Sequence, residues 1–149
     1  MTTTLRVLIN DVDAALYTDA KLQNLLSVAA FQVVQEVMFE QFYTIRPDPT
    51  TPSISPDPTE SATRDDSFIN LVILKAAAIT DRGAATLAVR RAVSFREGAS
   101  AVDLEASMRG WLDLLKKGWD AVYKEAKLQY QCGLTPVAGV AVMTPFRDH

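Results

Sequence analysis

The stretch Asp65-Asp66-Ser67-Phe68-Ile69-Asn70-Leu71-Val72-Ile73-Leu74-Lys75-Ala76-Ala77-Ala78-Ile79 decides the fold. It opens with three residues whose side-chain oxygens can accept from the first unpaired N–H groups of a helix, and acidic groups suit that positive end. Phe68, Val72, Ala76 and Ile79 then fall on one helical face, with Leu71, Leu74 and Ala78 on the next. The apolar stripe is wider than a surface helix needs. Its one charge before Asp81 is Lys75. A helix apolar nearly all round has neighbours on several sides, and this one is too short for a bilayer, which takes about 20 residues. It predicts the central rod of a mainly α fold, a small helical bundle with a short β-hairpin, a Pro-rich loop and an extended C-terminal arm.

Upstream, Thr18 reads as a helix N-cap with Asp19 in the first turn. Leu22, Leu26, Ala29, Val33 and Val37 recur at helical spacing, and Leu25, Val28, Phe31, Val34 and Met38 extend the apolar surface well beyond that stripe. Between Leu22 and Phe39 the only full charge is Glu36. Two over-apolar helices in so small a chain are hard to bury within one monomer, which predicts contact with another subunit. Before them, Leu5, Val7 and Ile9 alternate with Arg6, Leu8 and Asn10, a strand-like or irregular opening. Asp11-Val12-Asp13 lacks the further oxygen ligands and glycine of a calcium loop and reads as a solvated turn.

Residues 42–64 form a Pro-rich loop in which Pro47-Asp48-Pro49-Thr50 recurs as Pro56-Asp57-Pro58-Thr59. Prolines remove donors and fix φ, so the loop reads as an exposed contact segment that orders on a partner. After the central helix, Gly83 offers a break and Ala84–Val93 is helix-compatible. Arg90 and Arg91 there read as a solvated face or an inter-subunit salt link, since two bases without interleaved aromatics say little about nucleic acid. Alternation through Val93, Phe95, Val102 and Leu104 about Gly98 predicts a β-hairpin over 93–104. Leu104, Met108, Leu112, Leu115, Trp119, Val122 and Ala126 then make a long helical stripe, with Asp113–Lys117 and Asp120–Lys124 pairs on the opposite face. Trp111 and Trp119 read as core residues, and Gly133 as the helix stop. The reading closes a helical domain at 1–133 and leaves 134–149 as an apolar arm that needs a groove or sheet edge to dock on.

Composition narrows the function classes. Of 149 residues, 48% are hydrophobic and 22% charged, as in an ordinary globular domain. Residues 1–66 carry 10 acids against 4 bases, and residues 67–149 carry 8 against 11, so the halves attract one another within or between copies. A single cysteine, Cys132, forms no internal disulfide and suits a reducing compartment, and Met1-Thr2-Thr3-Thr4 does not start a secretory signal. The only histidine is His149, the final residue, so a His-based triad or multi-histidine metal site is not on offer. No Walker loop, G-x-G-x-x-G, CxxC or G-x-S-x-G occurs. The expectation is a non-enzymatic protein with no cofactor, no metal and no membrane contact.

The order of parts resembles the head-to-tail connector (adaptor) proteins of tailed bacteriophages. The likeness lies in Leu5-Arg6-Val7-Leu8-Ile9-Asn10-Asp11-Val12-Asp13, in Tyr17-Thr18-Asp19-Ala20-Lys21-Leu22 and in Ile54-Ser55-Pro56-Asp57-Pro58. It continues through Asp66-Ser67-Phe68-Ile69-Asn70-Leu71, Leu74-Lys75-Ala76-Ala77 and Gly98-Ala99-Ser100-Ala101-Val102-Asp103. It ends in Lys124-Glu125-Ala126-Lys127-Leu128-Gln129-Tyr130 and Met143-Thr144-Pro145-Phe146. The resemblance implies a structural protein of the virion neck, assembled in the host cytoplasm. Its subunits would form a ring of about twelve copies on the portal. The ring would join the portal to a tail or neck protein, and DNA would pass its lumen without specific binding. By the same analogy Leu134, Val137, Val140, Val142, Met143, Pro145 and Phe146 dock on the portal or a neighbour. Phe95, Arg96, Glu97, Gly98, Val102, Arg90 and Arg91 make inter-subunit or tail contacts. Asp11, Asp13, Asp48 and Asp57 are candidates for an acidic channel wall that repels phosphate. Two rivals stand beside this reading: a stopper or tail-completion protein of the same neck, and a small helical nucleic-acid-binding regulator, against which the pI of about 5.1 counts.

Overall fold

A computed structural model describes residues 1–48, 50–94 and 117–134, without the side chains of residues 88–94 and 134. Among them the order is α1 (Thr2–Leu8), α2 (Asp19–Glu36), β1 (Thr44–Arg46), β2 (Ser53–Ser55), α3 (Asp66–Ser94) and α4 (Trp119–Leu134). Among the described residues the chain is mainly helical, with one small antiparallel hairpin.

α3 is the central rod. Asp65 caps it, its Oδ1 accepting from the Phe68 N–H at 2.9 Å. Residues 71–78 are all buried, and α3 packs against α1, α2 and α4. The α2 stripe of Leu22, Leu26, Ala29, Val33 and Val37 is buried against it. Each such large aliphatic side chain contributes about 1.5–3 kcal/mol through burial. Thr18 caps α2 as its sequence predicts, its Oγ1 accepting from the Lys21 N–H at 3.3 Å.

Several elements depart from expectation. Residues 2–8 are helical rather than strand-like, because Leu5, Leu8 and Ile9, at i, i+3 and i+4, turn to the core while Val7 faces out. α3 runs straight through Gly83, where a helical glycine costs about 1 kcal/mol, too little to break a rod packed along its length. Val93 and Ser94 end α3, so they are not a strand; residues 95–104 of the expected hairpin lie outside the described residues.

A two-stranded hairpin sits inside the Pro-rich loop. Thr44, Ile45 and Arg46 pair with Ser55, Ile54 and Ser53. Ile45 and Ile54 pack on the core, and Pro47, Pro52 and Pro56 flank the strands, where no ladder donor is lost. Each PDPT repeat closes an Asx turn: Asp48 Oδ1 accepts from the Thr50 N–H at 2.7 Å and Asp57 Oδ1 from the Thr59 N–H at 2.8 Å. These turns and the strand pairing tie the described residues of the loop to the body of the chain.

α4 is described from Trp119, just beyond a bend at Gly118. Its buried face is Trp119, Tyr123, Ala126 and Tyr130, whereas Val122, placed on the stripe from sequence, is 40% exposed. The helix includes Gly133 and reaches Leu134, and the Asp120–Lys124 pair forms at 2.8 Å. Residues 104–116, with Trp111 and Asp113, are outside the described residues.

Candidate functional site

Of the residues assigned to contacts from sequence, Arg90 and Arg91 lie in the backbone of α3 and Leu134 ends α4. Phe95, Arg96, Glu97, Gly98 and Val102, and Val137, Val140, Val142, Met143, Pro145 and Phe146, lie outside the described residues. What the structure does bring together are two braced segments, one at each end of α2, that sequence reading passed over.

At the N-terminal end stands a latch. The Arg6 guanidinium donates through one nitrogen to Asp11 Oδ2 at 2.9 Å and through the other to the Tyr17 carbonyl at 2.9 Å and Asp19 Oδ1 at 2.6 Å. Asp11 in turn accepts from the backbone N–H groups of Leu16 at 2.9 Å and Tyr17 at 3.0 Å. The Leu16 N–H lowers the Asp11 pKa first; burial opposes it, and the Tyr17 N–H and the Arg6 charge add to the lowering. Asp11 is thus buried and paired, neither a solvated turn nor a channel wall. Asp48 and Asp57 are exposed but tied into their own turns, and Asp13 is exposed. The braced loop presents Val12 and Leu16, with Val7 before it, at 66%, 72% and 62% exposure.

At the C-terminal end of α2 stands a hub. Glu36 Oε1 accepts from Lys75 Nζ at 2.6 Å, and its Oε2 accepts from the Tyr123 hydroxyl at 2.9 Å and Lys127 Nζ at 3.1 Å. Burial would raise the Glu36 pKa, but the hydrogen bonds from Lys75, Lys127 and Tyr123 and the Lys75 charge outweigh it and lower it to about 2. Lys75 also lies 4.5 Å from the centroid of the Tyr123 ring. Beside the hub, Tyr43 stacks on Phe68 at 4.0 Å and donates to Asp65 Oδ2 at 2.9 Å. Phe39 meets Phe68 edge-on at 5.1 Å and lies against Tyr130 at 5.2 Å. These bonds fix the connection 37–43 over the last turns of α4, yet Met38 and Phe42 on it are 87% and 94% exposed.

Among the described residues no three His, Cys, Asp or Glu side chains are placed to share a metal ion, and no helix is long and apolar enough to cross a membrane. The two braced supports each hold large apolar side chains in water, a surface suited to association. Residues at such positions carry one signal in sequence, namely apolar side chains just outside a helix whose stripe is already complete. Comparison of the chain with protein-family models, curated proteins and solved structures finds no match.

Proposed function

We propose that this chain is the adaptor subunit of a tailed-phage neck, a non-enzymatic virion protein. It forms a ring with its own copies between the portal and the next tail or neck component, and DNA leaves through the lumen without specific binding. One observation carries the reading: unlike apolar patches occupy opposite ends of α2. That helix has 18 residues, which at 1.5 Å each separates the patches by about 27 Å. Unlike patches that satisfy each other do so head to tail, and head-to-tail contacts close into rings or run on as filaments. The resemblance in the N-terminal segment, the central helix and the last helix supplies the portal as the surface on which such a ring closes.

The test is electron microscopy of the full chain mixed with its portal, beside Leu16→Ser and a chain ending at Gly133. The full chain is expected to add a ring. Leu16→Ser, whose side chain is mostly in water and bears little on folding, is expected to lose ring closure, and the truncated chain to lose portal attachment. An intact portal that gains nothing from the full chain sinks the adaptor reading. Binding to tail proteins alone would then point to a stopper or tail-completion role, and salt-dependent duplex binding to the regulator.

A further inference from the structure

A cavity of about 360 Å³ opens between the start of α1, the first half of α2 and the loop that runs from β2 to Thr59. One wall is apolar: Leu26 of α2 faces Pro52, Ile54 and Pro58 of the loop. Leu26 and Pro58 are buried and Ile54 packs on the core, so the fold itself sets this wall. The other wall is polar and includes Gln23, Ser27, Asp57 and Thr59.

What the polar wall offers a ligand depends on where its hydrogens already go. The Ser27 hydroxyl donates to the Asn24 carbonyl at 2.9 Å, and the Thr59 hydroxyl donates to Asp57 Oδ1 at 2.7 Å. Each hydroxyl has spent its one hydrogen and can only accept from a further partner. Asp57 Oδ1 also takes the Thr59 N–H at 2.8 Å, whereas Oδ2 accepts no hydrogen bond from the described residues. The Thr59 N–H and then its hydroxyl hold the Asp57 carboxyl below the usual range against the opposing effect of burial, so it stays ionised at neutral pH. Met1 also borders the cavity; its ammonium bears on Asp57 less than the Thr59 bonds do and makes no hydrogen bond to it.

We propose that this cavity receives a lysine or arginine side chain presented by a partner polypeptide. The cationic head would lie against Asp57, Thr59 and Ser27, and the aliphatic stem along Leu26 and Ile54. Lysine and arginine carry donors and no acceptor, which a wall of acceptors matches, and their stems bury against apolar surface while the head stays polar. A carboxylate or phosphate would set its lone pairs against those of the wall. The surrounding charge points the same way. Residues 47–66 carry five acids and one base, and that base, Arg64, is paired with Asp66 at 2.8 Å. The cavity is open to solvent, so a side chain can enter it while the backbone that carries it stays outside. This site stands apart from the adaptor reading, since it names what enters the cavity whichever assembly brings it.

The first repeat supplies an internal control. Asp48 closes the same turn as Asp57 and does not line the cavity. Amide NMR signals of Ser27, Ile54 and Thr59 are followed in the full chain as capped Ala-Arg-Ala or Ala-Lys-Ala is added. A third peptide carries citrulline, which keeps the shape of arginine without its charge. Both basic peptides are expected to shift the three signals saturably, with affinities on the order of millimolar, and the citrulline peptide to leave them in place. Asp57→Asn keeps the oxygen that closes the turn and removes the charge. It is expected to weaken binding about fivefold, a figure that allows for the solvent around Asp57. Asp48→Asn, which removes the same charge outside the cavity, is expected to stay within about twofold of wild type. No saturable shift from either basic peptide at ~10 mM overturns the proposal, as does an equal response to citrulline. Equal affinity in wild type and Asp57→Asn overturns it too, and so does equal weakening by Asp48→Asn, which would reduce the effect to the general field of the loop. Binding of 1,4-diaminobutane as tight as that of Ala-Lys-Ala would assign the cavity to a free amine and overturn the polypeptide as its occupant.

Discussion

The latch around Arg6 and the hub around Glu36 are both charge networks set against apolar surface, but they work over different ranges of chain. Arg6 reaches Asp11, Tyr17 and Asp19, partners 5 to 13 residues away, and fixes one loop. Glu36 reaches Lys75, Tyr123 and Lys127, partners 39 to 91 residues away, and ties α2, α3 and α4 into one body. Breaking the first releases a local segment. Breaking the second loosens the packing of the whole bundle, because each bond there closes a long loop of chain whose entropy has already been lost.

The largest effect is expected at the apolar base of the hub. Phe68 is fully buried between Phe39 and Tyr43, so Phe68→Ala leaves a cavity where α2, the connection and α3 meet. A loss of about 3–5 kcal/mol in urea unfolding is expected. A loss under about 1 kcal/mol means that the site collapses freely and that the aromatic cluster does not organise the bundle.

Glu36→Gln comes next. It leaves the Lys75 ammonium, 10% exposed, without its counter-charge, and about 2 kcal/mol is expected after allowing for the solvent that reaches a one-third exposed Glu36. The acid side of the stability profile checks the same group. Its pKa is about 2 in the fold against an ordinary 4.5, so between those values the unfolded chain holds the proton and the fold does not. The hub's contribution is complete above about pH 5 and is lost as pH falls through about 2. Wild type is therefore expected to lose stability more steeply than Glu36→Gln across that window, with Asp11, whose pKa is also lowered, adding to the slope in both chains. Parallel acid profiles for the two proteins break the assignment.

The contrast in range is also a contrast in what the sequence made legible. The central helix, its cap and the α2 stripe were readable because helical period and capping chemistry act within a few residues. Lone charges were readable too: Glu36 and Lys75 each stand out as the single charge in an apolar run. That they pair with each other was available in principle, since a charge buried in such a run needs a partner and each lacks one nearby. The Arg6–Asp11 latch was hidden because Leu5, Val7 and Ile9 satisfy a two-residue period as well as Leu5, Leu8 and Ile9 satisfy a helical one. Only packing against α3 decides between them. Tyr123 was missed because the stripe was drawn from Trp119 to Val122, at i+3, where the buried position is i+4. The β1–β2 hairpin was missed because prolines suggest an unpaired loop, whereas here they flank the two short strands. The exposed patches, the heart of the proposed function, are visible in sequence only as apolar residues with no place left on a stripe.

Asp11→Asn tests the short-range side. Amide hydrogen exchange is expected to quicken at residues 12–18 while α4 keeps its protection; Glu36→Gln is expected to do the reverse, quickening exchange in α4 first. Equal loss in both regions for either variant would erase the distinction between latch and hub.

The smallest effects concern backbone conformation, and they separate the two regions most cleanly because no side-chain contact is removed. Asn10 and Ala14, in the latch loop, sit at φ of 54° and 56°. Asparagine adopts that left-handed conformation readily, but alanine carries a Cβ that makes it cost about 1–2 kcal/mol. Ala14→Gly relieves that cost and adds about 0.5–1 kcal/mol of unfolded-state entropy, so a net gain of about 0.5 kcal/mol is expected. In α3 the logic inverts. A Cβ at Gly83 would meet nothing within 4 Å, so Gly83→Ala removes the entropy cost of a helical glycine without a clash and is expected to gain about 1 kcal/mol. The gain from Ala14→Gly should appear as slower exchange in the latch loop alone, that from Gly83→Ala as a rise in global unfolding free energy. A destabilised Ala14→Gly would mean that Arg6 and Asp11 hold the loop so firmly that the glycine's extra freedom in the unfolded chain outweighs the strain it relieves.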